Sequence, residues 1–252
     1  MKSVATTKLR NIKLTIEYDG TNYCGWQIQK NAKAVQEVIT EAIAKITGHK
    51  ITLCGASRTD SGVHAKGQIA NFRTHSRMTP YQFIKALNSN LPNDIAIRAV
   101  KEVSKSFNSM YDAKSKDYRY TILNSPIPTA LDRNFYYFVP YKISISRMKK
   151  ALKYLVGRHD FRAFATRSSA KENCIRKIYS IKITTKNDYI YIDIKGNGFL
   201  YNMVRTIVGT LLLIAQGKIK PEDIRAIIES RERKKAGPTA PAKGLCLLRV
   251  NY

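Results

Sequence analysis

Asp60 is the side chain in this sequence best suited to chemistry. It stands two residues after Arg58 in a glycine-rich stretch, between apolar segments over 51–54 and 68–72. An ionised carboxylate can act as a nucleophile or as a general base. The local pattern also fits a simple turn, because aspartate bonds nearby backbone amides and Gly62 tolerates a positive φ. The sequence therefore predicts a loop between two strands, with Asp60 near its middle.

Arg205 is a second candidate, because it is the only charged side chain from Phe199 to Gln216. An apolar helical stripe runs beside it, formed by Leu200, Met203, Val204, Ile207 and Leu211. A charge at the margin of such a stripe is costly unless it is paired. Its guanidinium matches a carboxylate in a two-point contact. We therefore expect Arg205 to pair with Asp60 and to favour the ionised form of that carboxylate.

Tyr118 and Tyr120 form a third candidate group. They lie two residues apart in a strand-like segment over 114–124, so both rings are predicted on one face of a strand. By itself this pattern fits either ordinary sheet aromatics or a surface for stacking. The residues alone leave both interpretations open.

The charge of the chain limits the class of partner. The sequence has 44 Lys and Arg against 18 Asp and Glu, a formal net charge of +26. Such an excess attracts polyanions and accelerates their encounter with the protein. Nucleic acid is the partner that this charge favours. Charge alone does not separate RNA from DNA or from an anionic membrane, and a generally basic surface would have the same composition.

Cysteine usage and hydropathy argue against several other classes. The four cysteines, at 24, 54, 174 and 246, are widely spaced, which predicts free thiols rather than a zinc ribbon or a disulfide scaffold. No cluster of carboxylates or histidines surrounds Asp60 in sequence, so we expect no metal. The most apolar run, 199–215, is shorter than the roughly 20 residues that span a bilayer. The start lacks the apolar core of a signal peptide. These features predict a cytoplasmic protein that does not cross a membrane.

The elements that must position these residues can be predicted from periodicity. Apolar residues at helical spacing predict an amphipathic helix over 34–46, ended by Gly48. Alternating segments over 176–183 and 189–194 predict a hairpin. Such turn-linked strands indicate a mainly antiparallel sheet.

The domain organisation is predicted from a break near mid-chain, over 124–129. After a disordered N-terminus over 1–10, we expect an N-terminal α/β subdomain over 11–124 that carries the Asp60 loop. A C-terminal α/β subdomain would follow over 125–252. The fold class is therefore α/β of the α+β type.

Six motifs resemble those of the TruA family of tRNA pseudouridine synthases, in the family's order. The most specific is Arg58-Thr-Asp-Ser-Gly-Val-His64, where Ser61 and the preceding Ser57 stand in place of the family's common alanine and glycine. The other five lie at 18–27, 88–92, 157–164, 199–209 and 236–245. A stretch over 106–113 matches only loosely. The resemblance covers the chain from about residue 12 to its end.

The resemblance implies a fold and an activity. Two α/β subdomains would share a central antiparallel sheet, with a basic cleft between them. The family isomerises uridine to pseudouridine in the anticodon stem-loop of tRNA, without cofactor or metal. Asp60 would be the nucleophile or base, with Arg205 beside it. Tyr118 would stack on the target uridine, and Arg58 would fill the space left by the flipped base. A homodimer is a further expectation from the family.

The basic loop over 165–173 is a plausible RNA contact, with Arg167 and Ser168 as candidates. Two alternatives stay open. The first is the same chemistry on ribosomal RNA, because surface loops determine which RNA is bound. The second is an RNA-binding protein without catalysis. His64 belongs to the signature but receives no chemical task. A dyad of His159 and Asp160 is rejected, because adjacent residues diverge on a helix and a local capping role suffices.

Overall fold

The computed structural model describes residues 8–166 and 173–252. The strands are β1 (Arg10–Tyr18), β2 (Cys54–Gly55), β3 (His64–Thr74), β4 (Ile95–Val103), β5 (Ser115–Leu123), β6 (Tyr137–Phe138), β7 (Gly157–Asp160), β8 (Ile175–Lys186), β9 (Tyr189–Gly196) and β10 (Leu245–Asn251). The helices are α1 (Val35–Thr47), α2 (Pro80–Asn88), α3 (Ile145–Leu152), α4 (Met203–Ala215) and α5 (Asp223–Ser230). Short 3₁₀ turns cover Arg162–Phe164, Arg233–Lys235 and Ala242–Gly244.

Backbone contacts divide the chain into two compact units. The first unit ends at Ala113 and also includes Tyr252, and the second unit runs from Lys114 to Asn251. Strand β5 therefore belongs to the second unit, and the predicted break over 124–129 lies inside that unit.

The first unit is an antiparallel sheet covered by two helices. Its strand order is β4-β1-β3, with β2 paired to β3. Alternation along β1 points Ile12, Leu14 and Ile16 to one face, and all three are fully buried. Phe72 of β3 meets Phe83 of α2 edge to face, with ring centroids 5.8 Å apart, so α2 packs on that face.

The ends of the two helices in the first unit follow from local chemistry. Gly48 ends α1 in the left-handed conformation, with φ 74°, as predicted. Thr79 begins α2 with a capping box: its hydroxyl accepts from Gln82 N, and Gln82 Oε1 accepts from Thr79 N. These caps fix where the helices start and stop, and so where they meet the sheet.

The second unit is also built on an antiparallel sheet, with strand order β10-β5-β9-β8-β7. Only the short β6 pairs in parallel, with β5. Strands β8 and β9 form the predicted hairpin, in which Asn187 takes a positive φ of 52° at the turn. The predicted class, α+β with mainly antiparallel strands, is confirmed in each unit.

Helix α4 differs from its predicted one-sided pattern. Every residue from Met203 to Ala215 is buried except Arg205 and Leu213. The second face is covered by the segment 236–241: a Cβ on Gly209 would overlap the carbonyl oxygen of Pro238. That cover comes from a distant part of the chain, so the local pattern carried no sign of it.

Candidate active site

Asp60 lies on a loop, Ala56–Val63, which we call the Asp60 loop. The strand predicted before it is shorter than expected, because β2 includes only Cys54 and Gly55. The strand after it is longer, because β3 already begins at His64. The predicted ends of both strands were therefore wrong, although the loop between two strands is confirmed.

The carboxylate of Asp60 stands at the first position of a tight turn. The amide of Val63 donates to the carbonyl of Asp60 at 3.1 Å, and Gly62 takes a φ of 75°. Such a φ at the third position of a turn favours glycine. Asp60 is partly exposed, so its turn presents a carboxylate that solvent or a ligand can reach.

The start of the Asp60 loop is fastened to β3. The amide of Ala56 donates to Ile69 O at 2.7 Å. The side-chain amide of Gln68, which is fully buried, donates to Ser57 O at 2.6 Å. These bonds limit how far the start of the loop can move relative to the sheet.

A second loop, Tyr18–Gln27, fastens the middle of the Asp60 loop. Thr59, which precedes Asp60, is held twice: its carbonyl accepts from Trp26 N at 3.2 Å, and its hydroxyl lies 2.8 Å from the hydroxyl of Tyr18. Gly62 N donates to Tyr23 O at 3.3 Å. Trp26 is 1% exposed, so its ring packs in the core of the first unit.

The close approach of these two loops depends on Gly25. It has a φ of +104°, and a Cβ there would overlap the carbonyl oxygen of Thr59. His64, the residue that follows the Asp60 loop, also joins the two loops, because its Nδ1 accepts from Gly20 N at 3.0 Å. His64 therefore receives a structural task that sequence reasoning missed. The glycines at 20 and 25 in the 18–27 motif were the only sequence feature that could have indicated this close contact between the two loops.

Arg58 is exposed on the same loop. In the described part of the chain, no hydrogen bond or ion pair is recorded for its guanidinium. Its neighbours Ser57 and Thr59 are buried, so the fixed backbone on both sides holds an exposed cation two residues from Asp60.

Tyr118 and Tyr120 lie on one face of β5, as predicted. They pair across β9 with Ile194 and Ile192. Tyr118 is 5% exposed, and its ring meets Phe199 edge to face at 5.3 Å. Burial raises the pKa of the Tyr120 hydroxyl, which donates to Pro241 O at 2.7 Å.

Arg205 is half-buried in the first turn of α4. Its Nε donates to Ala240 O at 2.7 Å, and its Nη1 donates to Asn202 Oδ1 at 2.8 Å. Asn202 has a positive φ of 63° and bonds Thr166 through its side-chain amide. Two donors of the guanidinium are thus engaged by neutral oxygens, which fixes the plane of the group.

His159 and Asp160 lie on β7, so the helix assumed for them was wrong. Adjacent residues also diverge on a strand. His159 Nε2 lies 3.0 Å from Val156 O, while Asp160 accepts from Arg162 N at 3.0 Å and lies 3.2 Å from Arg231. The local bond from Arg162 agrees with the capping role expected of Asp160.

The candidate residues fall in both units. Asp60 and Arg58 belong to the first unit, and Tyr118 and Arg205 belong to the second. Arg167 and Ser168 lie outside the described residues. Over residues 8–166 and 173–252, no group of three or more His, Cys, Asp or Glu side chains could hold a metal ion. Within the same ranges, no helix is long and apolar enough to cross a membrane.

A family model described as tRNA pseudouridine synthase matches residues 14–112 and 151–252. The chain belongs to the tRNA pseudouridine synthase family. Both matched ranges include candidate site residues, Asp60 in the first and Arg205 in the second. The family predicted from the motifs is therefore confirmed.

Curated relatives match along almost the whole chain. The tRNA pseudouridine synthase A of Acetivibrio thermocellus is 51% identical over 244 residues, which is 97% of this chain and 100% of the relative. The proteins of the same name from a Thermoanaerobacter species and from Clostridium acetobutylicum are 49% and 48% identical with the same coverage. Pseudouridine synthases are isomerases, so the predicted enzyme class is confirmed.

Among solved structures, a Cbf5–Nop10–Gar1 complex matches with a TM-score of 0.37 and 12% identity, over 93% of this chain and 57% of the other. An H/ACA RNP bound to a substrate RNA containing 2′-deoxyuridine matches with a TM-score of 0.38 and 11% identity, over 80% and 43%.

Proposed function

We propose that this enzyme converts uridine to pseudouridine in the anticodon stem-loop of tRNA, with Asp60 as the reacting carboxylate. The observation that carries the proposal is the fixation of the Asp60 loop. Its backbone is bonded at Ala56, Ser57, Thr59 and Gly62, so the carboxylate is held by a framework that does not depend on substrate. Positioning of this kind contributes strongly to enzymatic rates.

The reaction balances without a redox partner. The bond between N1 of the base and C1′ of the sugar breaks, the base turns, and a bond forms between C5 and C1′. The proton at C5 is lost and N1 gains one, so substrate and product are isomers. Asp60 serves either as nucleophile at C1′ or as base at C2′, and both roles need its ionised form.

Three other residues complete the proposed site. Arg205 pairs with Asp60 and keeps it ionised. Tyr118 stacks on the turned base, and because it is only 5% exposed, its ring must become accessible when RNA binds. Arg58 fills the space that the base leaves, and Arg167 and Ser168 contact the RNA.

The wider proposal concerns the assembly. We take each unit to be an α/β subdomain, and tRNA to be the partner that their basic surface binds. We also expect a homodimer acting in the cytoplasm. The high net charge supports the RNA partner, and near-complete coverage of relatives named tRNA pseudouridine synthase A supports the substrate.

Replacing Asp60 tests the catalytic role. The Asp60→Asn protein should bind unmodified tRNA within a few-fold of the parent, because the amide keeps the shape of the carboxylate. It should form no pseudouridine, as measured by tritium release from 5-tritiated uridine. Glu41→Gln, a matched charge change on the exposed side of α1, is the control and should turn over normally. Retained turnover in Asp60→Asn would refute the assignment.

Mapping of pseudouridine in tRNA and ribosomal RNA tests the substrate. A deletion strain should lose pseudouridine only from anticodon stem-loops, and the parent gene should restore it. Loss from ribosomal RNA alone would replace tRNA by rRNA as the substrate. Unchanged pseudouridine in both RNAs, together with tRNA binding, would favour an RNA-binding protein without catalysis.

A further inference from the structure

Lys116 and Arg176 are two cations of the second unit that sit near each other on the side of the sheet that carries Tyr118. Lys116 pairs with Gly196 across β9, and Gly196 pairs in turn with Ile178 of β8. Directly paired residues share a face, and Arg176 lies two residues before Ile178. Lys116, Tyr118 and Arg176 therefore project from the same face, where Lys116 and Tyr118 are about 7 Å apart along β5.

The ring of Phe199 packs on the same face, against Tyr118 and against Gly196, the residue that pairs with Lys116. The ring of Phe199 covers Gly196, since a Cβ there would lie 2.9 Å from Phe199 Cζ. The same ring meets Tyr118 edge to face. Gly198 brings the backbone next to Arg176, whose Nε lies 3.7 Å from the position of a Cβ on Gly198.

Electrostatics make this corner unfavourable for two cations. The pKa of Lys116 is lowered from 10.5 to about 8. Burial is the larger cause, and the positive charge of Arg176 is the smaller one. Arg176 Nη1 donates to the backbone oxygens of Asn173 and Ile175 at 2.8 Å each. Within the described residues, no carboxylate is recorded in an ion pair with either cation. A partly buried cation pair without an acid is a site that a bound anion would stabilise.

We propose that Lys116 and Arg176 bind an RNA backbone phosphate next to the target uridine, and so position that nucleotide against Tyr118. The inference rests on the proposed function, because Tyr118 defines where the uridine lies. A phosphate has the oxygens to accept from both the ammonium and the guanidinium. Lys116 and Arg176 act here as positioning residues, and the spacing along β5 places the phosphate within one nucleotide of the stacked base.

The test is a cycle between a protein change and an RNA change. Lys116→Gln removes the cation, and one methylphosphonate linkage beside the target uridine removes the charge of the phosphate. Lys195→Gln is the matched control, because Lys195 is an exposed lysine on β9 whose side chain points to the opposite face. Affinity is measured with tRNA assembled by ligation, in the Asp60→Asn background.

Each single change should weaken binding by about 10-fold, the effect of one charge-assisted hydrogen bond. The two changes together should weaken it no further, Lys116→Arg should restore affinity, and Lys195→Gln should show less than a two-fold effect. With active enzyme, Lys116→Gln should raise KM and change kcat little. If the losses of affinity from Lys116→Gln and from the methylphosphonate multiply at every linkage that flanks the uridine, the inference is overturned. It is also overturned if Lys116→Arg loses as much affinity as Lys116→Gln.

Stability gives a second readout that a structural lysine would not produce. The folded pKa of Lys116 is below the unfolded value, so the unfolded chain binds more protons between about pH 8 and 10.5. The free energy of unfolding of the parent should therefore rise with pH in this window relative to Lys116→Gln, and below pH 8 the variant should be at least as stable as the parent. If Lys116→Gln were less stable than the parent at pH 7, the idea that Lys116 needs a bound anion to balance its charge would be contradicted.

These measurements separate the two proposals. The affinity cycle and the unfolding curves need no turnover, so they report on Lys116 even if the parent forms no pseudouridine. If the parent is active and the cycle shows no coupling, the catalytic proposal stands and the phosphate site fails.

Discussion

Gly25 links the Asp60 loop to the rest of the first unit at the scale of single residues. It combines a φ of +104° with a close approach to the Thr59 carbonyl. No other amino acid fits at this position, because any side chain would strain the backbone and overlap the carbonyl of Thr59. The sequence motif contained this glycine, but only the contact gives its reason.

Gly25→Ala should lower the free energy of unfolding by about 2–4 kcal/mol and reduce turnover at least 10-fold, because it adds a clash to the cost of a positive φ. Gly48→Ala is the matched control, since Gly48 has a φ of +74° and no atom within 4 Å of its Cβ position. It should lose only about 1 kcal/mol and keep full activity. Urea unfolding and a tritium-release assay measure both effects. Equal losses in the two variants would show that the contact with Thr59 is unimportant.

At the scale of elements, helix α4 and the segment 236–241 together orient the side chain of Arg205. The segment covers the second face of the helix, and Ala240 O holds the Nε of Arg205. Thr210 fixes the segment to the helix: its hydroxyl accepts from Gly237 N at 2.8 Å and donates to Thr206 O at 2.8 Å. The orientation of Arg205 therefore depends on a buried hydrogen bond one and a half turns along the helix.

Thr210→Val should destabilise the protein by about 1–3 kcal/mol, because it leaves the buried amide of Gly237 without an acceptor at nearly constant volume. Activity should fall as well, since the carbonyl that holds Arg205 shifts. Thr40→Val on α1 is the control, because the hydroxyl of Thr40 donates to Gln36 O within its own helix. Unfolding curves and kcat compare the variants. If Thr40→Val loses as much as Thr210→Val, the bond to Gly237 contributes nothing measurable.

The net charge of +26 acts at the scale of the whole molecule. Like charges repel one another within the folded chain and attract an RNA backbone outside it. Salt screens both interactions, so it should have opposite effects on stability and on binding. No single lysine or arginine determines this behaviour.

RNA affinity should fall by about 10³-fold between about 50 and 200 mM salt if six phosphates are neutralised, while the free energy of unfolding rises over the same range. Fluorescence anisotropy with labelled tRNA gives the first quantity, and urea unfolding gives the second. The Asp60→Asn protein should show the same salt slope as the parent, because it keeps every cation. A flat affinity profile would mean that binding depends on neutral contacts rather than on charge.

The sequence by itself determined the class of fold, the helix caps, the tyrosine pair on β5 and the family, because each depends on local periodicity or on a contiguous motif. Gly48 at the end of α1 and the hairpin of β8 and β9 are examples. The loop around Asp60 was also predictable, although the limits of β2 and β3 were not, since strand ends are set by pairing partners far along the chain.

Only the tertiary structure decided what holds the candidate residues in place. The cover of α4 by the segment 236–241, the bond from Gly20 to His64 and the meeting of Lys116 with Arg176 all join residues more than 25 positions apart. Local propensity carries no information on such contacts, because packing and desolvation arise only when distant segments meet.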